Sequence, residues 1–243
     1  MKFRALHLFA TLARKSRDTL RRRFRRPLPG RFQAYSHTLP DRYPWLFEFA
    51  RANVGSLVGA RILSFGCSRG DEVFALRKYY PTAVIKGIDI EPGNISRCEA
   101  RARRGDAEGM TFAVAANTAA EPAEFYDAIF CLAVLCLGDL TVSGATRCDP
   151  HLYFKDFERM VADFSRCLKP GGILFLHTTN FRFCDTAVSQ NFDAVFEAGL
   201  AQLAPDVLFD RDNALLPGAR YRPVAFRKRN PAMPTMSSNS IAV

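Results

Sequence analysis

The residues with the clearest chemical signature lie between Arg61 and Ile90. Gly66 and Gly70 bracket a turn, Gly66-Cys67-Ser68-Arg69-Gly70, and Asp71 and Glu72 follow at once. Glycines in such a turn let the backbone bend sharply and let a ligand approach closely. Acids at the start of a helix suit its dipole but repel a pyrophosphate, and they favour an ammonium group. Further on, Asp89 ends an apolar run. A carboxylate at that place can accept hydrogen bonds from the two hydroxyls of a ribose. The expected ligand is therefore a nucleoside with a positively charged amino-acid end.

The elements around these residues make that placement plausible. Ile62, Leu63 and Phe65 form a short apolar run, as in a strand covered on both faces. Val73, Phe74 and Leu76 recur at helical spacing from Asp71 to Tyr80, and Pro81 stops the helix. Ala83 to Ile88 is a second buried strand, with Asp89 at its carboxyl end. The turn does not match G-x-G-x-x-G, so a dinucleotide is disfavoured. S-adenosylmethionine (SAM) is the nucleoside that fits.

Four segments, GCSRGDE at 66–72, GIDIEP at 87–92, YDAIFCLAVL at 126–135 and LKPGGILFLHTTN at 168–180, resemble the class I SAM-dependent methyltransferases in order and spacing. The glycine turn and the fourth strand look most like the CheR-type protein-glutamate enzymes. The resemblance implies a Rossmann-like α/β fold: a mostly parallel seven-stranded sheet, helices on both faces, and a C-terminal antiparallel hairpin. It also implies cofactor contacts from Gly66, Ser68, Gly70, Glu72, Asp89 and Ile90, and from Leu132 at the end of strand four. Asn117, after strand three, stands where many of these enzymes bind the adenine amino group. Two departures matter. Ser64 replaces the acid usually found two positions before the first glycine, which leaves Glu72 or Asp71 to meet the cofactor's charged end. Leu132 and Ala133 replace an Arg-Asn pair of the CheR-like pattern, so the protein-glutamate substrate does not carry over with it.

Methyl transfer from a sulfonium is an in-line displacement, and the protein mainly aligns and desolvates the reactants. A general base is needed only when the nucleophile carries a proton; a carboxylate does not. Topology puts Asp139, His151, His177, Asn180, Arg182 and Asp185 near the ligand edge of the sheet. His177 is the candidate base and Arg182 the candidate anion holder. No Asn/Asp-Pro-Pro-Tyr/Phe motif follows strand four, which favours oxygen or carboxylate acceptors over nitrogen. The expectation is methyl transfer to a small-molecule oxygen or carboxylate. The alternatives are a CheR-like protein carboxyl methyltransferase and a non-catalytic SAM-fold binding protein.

Charge and composition bound the rest. The net charge is +10, but residues 1–26 hold ten Lys or Arg and one acid, which leaves the remainder at +1. The body of the chain thus offers no footprint for nucleic acid. Residues 1–30 read as a basic amphipathic segment, either a solvated tail or a dock for an anionic membrane surface or an acidic protein. Residues 31–229 form the catalytic domain, with a helix over Asp41 to Leu57, another over Val188 to Leu203 and a short strand over Val207 to Phe209. Residues 230–243 read as a disordered tail. The seven cysteines are scattered with no CxxC, so neither a disulfide framework nor a metal site is expected. No apolar run reaches the ~18 residues of a membrane span. The expected location is cytoplasmic, with peripheral membrane contact a possibility left to the N-terminal segment.

Overall fold

The computed structural model describes residues 32–33, 36, 38–39, 41–54, 58–105, 108–204 and 206–230. The expectations for the basic segment 1–30 and for the tail from 231 onward lie outside the described residues.

Seven strands form one sheet: β1 (Arg61–Phe65), β2 (Val84–Asp89), β3 (Met110–Val114), β4 (Tyr126–Leu132), β5 (Leu168–His177), β6 (Phe192–Glu197) and β7 (Pro223–Lys228). Their order is β3-β2-β1-β4-β5-β7-β6. β1 pairs in parallel with β2 and β4, β2 with β3, and β4 with β5. β7 alone runs antiparallel to both of its neighbours. The chain reverses direction across the sheet between β1 and β4, so the carboxyl ends of these strands border an open crevice where ligands bind in such folds.

Among the described residues five α-helices accompany the sheet: α1 (Pro44–Asn53), α2 (Asp71–Tyr79), α3 (Pro92–Ala102), α4 (Gly138–Val142) and α5 (Phe154–Cys167). Pro44 and Pro92 open α1 and α3, where a missing N–H costs nothing and the fixed φ suits a helix. Gly70, with φ 88°, is the N-cap of α2. Alternation along the strands builds two cores. Leu63, Ile129 and Leu174 face α5 through Phe157, Met160, Val161 and Phe164. Ile62, Phe130 and Phe175 face the other way, toward Leu46 and Phe47 of α1, Leu76 of α2 and Ile95 of α3. Phe130 and Phe175 stack at 4.4 Å between ring centres, and Phe47 meets Phe130 edge-on at 5.8 Å.

The C-terminal third corrects the sequence reading. The helix expected over Val188 to Leu203 is absent. A 3₁₀ turn at Ala187–Asn191 leads into β6, and a second 3₁₀ turn spans Leu200–Gln202. Its Ala, Glu and Leu residues favour helix, yet an unpaired β7 edge and the ring of Phe49, stacked on Phe196 at 4.1 Å, favour a strand. β6, not Val207 to Phe209, is therefore the partner of β7 in the hairpin; Phe209 makes only isolated bridges, to Phe181 and Leu215. β4 ends at Leu132, and α4 follows a short connection.

Candidate active site

A cavity of about 380 Å³ opens over the carboxyl ends of β1, β2 and β4. Gly66, Ser68, Glu72, Asp89, Ile90 and Leu132 all line it. The glycine turn is shaped by its packing. Gly66 has φ 75°, and a Cβ there would lie 2.3 Å from Cγ2 of Val134, so no larger residue fits. The N–H of Gly66 donates to the carbonyl of Ile88 (2.7 Å), which ties the turn to β2.

Asp89 is buried beneath this turn, at 7% exposure. One carboxylate oxygen accepts from the backbone N–H of Ser68 (2.8 Å). The other accepts from the N–H of Glu91 (2.9 Å) and from Nδ2 of Asn94 (3.0 Å). Asp89 therefore fixes the turn and starts the approach to α3 while still facing the cavity. Ser68 sits at φ 50°, and its hydroxyl is buried with no hydrogen-bond partner. A buried hydroxyl left so costs about 1–3 kcal/mol unless a ligand satisfies it.

Glu72, on the first turn of α2, accepts a hydrogen bond from the hydroxyl of Ser64 (2.7 Å). Burial pushes its pKa up to about 7 from the usual 4.5, opposed by the Ser64 bond and the charge of Arg42. Its neighbour Asp71 also borders the cavity but is paired with Arg101 (2.7 Å). The serine standing where an acid was expected thus orients an acid supplied by the next helix.

Gly70, Asn117, His177, Asn180 and Arg182 do not line this cavity. Gly70 lies behind it, against Phe74 and Cys98. Asn117 accepts the N–H of Ala119 (3.0 Å) in a turn, and the wall beside it is made by Ala115 and Ala116. His177 is buried behind Tyr43, whose ring meets it edge-on at 5.1 Å between ring centres. Its Nε2 donates to the carbonyl of Gln202 (2.8 Å), so Nδ1 of the neutral ring accepts from the Thr178 hydroxyl (2.8 Å). Burial lowers the His177 pKa below its usual value. An imidazole with both nitrogens engaged is poorly placed to take a proton from a substrate. Asn180, also proposed near the ligand, is a buried clamp that accepts the N–H of Leu137 (2.6 Å) and donates to the carbonyl of Val207 (2.8 Å). Arg182 is held by a two-pronged pair with Asp185.

The cavity also holds residues that sequence reasoning missed. Phe32, Gln33, Arg42 and Tyr43, all ahead of β1, form its roof. Gln33 donates to the carbonyl of Ala133 (2.6 Å). Nothing in their spacing marked them; Arg42 and Tyr43 fall in the helix expected over Asp41 to Leu57, which starts instead at Pro44.

Residues 57–211 match the family described as "Methyltransferase domain". The chain belongs to that family. A phthiotriol/phenolphthiotriol dimycocerosates methyltransferase of Mycobacterium leprae is 29% identical over 126 residues, 49% of this chain and 37% of that protein. Among solved structures, the [4+2]-cyclase SpnF has a TM-score of 0.43 at 20% identity over 55% of this chain and 44% of its own. Phosphoethanolamine N-methyltransferase 2 of Haemonchus contortus, bound to SAM, has a TM-score of 0.45 at 15% identity over 59% and 30%. The chain thus spans less than half the length of each. It carries a SAM-dependent methyltransferase domain of Rossmann-like topology. The first cavity fits that cofactor: it offers an unsatisfied Ser68 hydroxyl, a backbone cradle that Gly66 keeps open, and carboxylates at Asp89 and Glu72. Among the described residues no group of His, Cys, Asp or Glu could hold a metal ion, and no helix is long and apolar enough to cross a membrane.

Proposed function

We propose that the protein transfers a methyl group from SAM to a carboxylate oxygen of a small-molecule acid. The observation that carries this reading is Arg42. This exposed residue lines the cavity, holds its guanidinium 5.1 Å from the Tyr43 ring centre, and has no carboxylate partner among the described residues. A cation left unpaired at the mouth of a ligand cavity suits an anionic substrate. The engagement of both His177 nitrogens agrees with this, because a carboxylate nucleophile needs no base.

In this reading Asp89, which lines the cavity while held by the Ser68 and Glu91 amides and by Asn94, accepts from the ribose hydroxyls. The Gly66 turn lies against the nucleoside, with the Ser68 hydroxyl as a donor. Ionised Glu72 attracts the ammonium of the amino-acid end. Ile90 and Leu132 supply apolar surface to the adenine and to the methyl end respectively. Bound SAM supplies an activated methyl group and leaves as a neutral thioether. The chain holds the carboxylate on Arg42, aligned with that methyl, and excludes water with Leu132, Phe32 and Tyr43. Apolar Leu132 and Ala133 at the end of β4 suit a small acid better than a protein glutamate.

Purified protein incubated with methyl-labelled SAM and a panel of small carboxylic acids tests the proposal. The expected product releases labelled methanol in alkali, as a methyl ester does, and Arg42→Gln raises KM for the acid more than it lowers kcat. Label confined to alkali-stable products overturns the carboxylate assignment. Failure to bind S-adenosylhomocysteine overturns the methyltransferase reading itself.

A further inference from the structure

A second cavity, of about 510 Å³, lies beside the first at the carboxyl end of β5 and the start of β7. That volume falls within the ~300–1,000 Å³ of small-molecule sites. Its walls carry apolar side chains, with Leu176, Leu203, Leu208, Leu216 and Val224 prominent, and a comparable share of polar surface. Its polar side chains are His177, Thr178, Thr179, Asp206, Arg220 and Tyr221. The first two of these touch Tyr43, which lines the first cavity. A single layer of side chains therefore separates the two spaces.

Three observations mark that layer as functional. The Tyr43 hydroxyl is buried and faces Thr178, but no partner completes a hydrogen bond of ordinary geometry. Thr178, a β-branched residue, is held at φ 59°, and Ala133, on the neighbouring strand end, at φ 57°. Such strain costs about 1–3 kcal/mol per residue and clusters at ligand sites. Finally, the charge of Arg42 reaches groups on both sides: Glu72 in the first cavity, and His177 and Asp206 in the second.

We infer that the second cavity receives the apolar body of the acceptor, so that the substrate is an amphipathic carboxylic acid. This rests on the methyl-transfer reading above and names its substrate class. The head lies at the seam between Arg42 and the Tyr43 hydroxyl, which satisfies that orphaned donor. The hydrocarbon tail lies among Leu203, Leu208 and Leu216. In the transfer, a lone pair of the carboxylate oxygen forms the new bond to the methyl carbon. The bond from that carbon to sulfur breaks, its electron pair stays on sulfur, and no proton moves.

The test uses dodecanoate and butyrate as probes, which share a head and differ in tail. Calorimetry is run on the full chain saturated with S-adenosylhomocysteine. Dodecanoate is expected to bind at one site, at least tenfold more tightly than butyrate. Ala204→Trp, which plugs the second cavity from a small lining residue, should weaken dodecanoate at least tenfold and leave S-adenosylhomocysteine affinity within twofold. Ala219→Trp provides the same plug should the first variant fail to give a cooperative melt. Equal affinities for the two acids, no binding of dodecanoate, or unchanged dodecanoate affinity in a folded plug variant each overturn the inference. Loss of S-adenosylhomocysteine binding by the unsubstituted protein would instead strike the methyl-transfer reading, because dodecanoate binding is also measured without it.

Discussion

Glu72 gives the sharpest quantitative expectation. Its carboxyl is moved from 4.5 up to about 7 by burial, which corresponds to about 3 kcal/mol at most. This is an upper figure because the side chain borders the cavity and keeps some contact with solvent. The folded protein holds this proton more tightly than the unfolded chain does. Between pH 4.5 and about 7 the unfolded state has lost the proton and the native state has kept it, so stability falls as pH rises through that window and then levels off. Glu72→Gln keeps an acceptor for the Ser64 hydroxyl and removes the titration. The variant should match the parent near pH 5 and exceed it by up to about 3 kcal/mol at pH 8, or roughly 6–12 °C in Tm. Urea unfolding of ligand-free protein at half-unit steps from pH 5 to 8.5 measures this, and the difference between the two proteins isolates the one group. The same substitution removes the charge proposed to meet the ammonium of SAM, so affinity at pH 8 should drop at least tenfold while stability rises. Parallel stability profiles for parent and variant would refute the reasoning, and so would a variant that binds SAM unchanged at pH 8.

The other expectations concern single contacts. Gly66→Ala forces a side chain onto Val134 at a left-handed φ; a loss of about 2–4 kcal/mol in urea unfolding is expected, with S-adenosylhomocysteine binding abolished. Asn180→Ala strands the buried N–H of Leu137 and the carbonyl of Val207, which should cost about 2–4 kcal/mol and lower Tm, with cofactor affinity within threefold. His177→Gln should leave S-adenosylhomocysteine affinity within twofold in calorimetry. Because burial lowers the His177 pKa, the native state binds this proton less readily than the unfolded chain, and stability falls as pH drops below the usual 6.5. The glutamine variant should show a flatter acid limb in thermal melts from pH 7 to 5.

Local chemistry made half of the site legible in the sequence. Gly66, Ser68, Glu72 and Asp89 come together because a strand, a turn, a helix and a strand that follow one another closely must pack side by side. Little chain separates them, so their order already fixes their proximity, and buried runs such as Ile62 to Phe65 set the strands beneath them. The same logic explains why β1, α2 and β2 were readable: each is apolar or periodic enough for its pattern to outweigh other choices.

What remained hidden depended on contacts far apart along the chain. Arg42 and Tyr43 carry no motif and join the site only because α1 packs on the face of β4 and β5 through Phe47 and Phe49. Residues 192–197 lie inside the run read as helix from Val188 to Leu203, and a vacant sheet edge beside β7 makes them a strand. His177 was correctly placed at the end of β5, but strand position does not say where a ring points. Gln202 and Thr178 decide that, one of them from the segment misread as helix. Adjacent residues fix the cofactor cradle by chain connectivity, whereas the direction of a side chain and the pairing of a sheet edge are set by whichever distant surface can bury them.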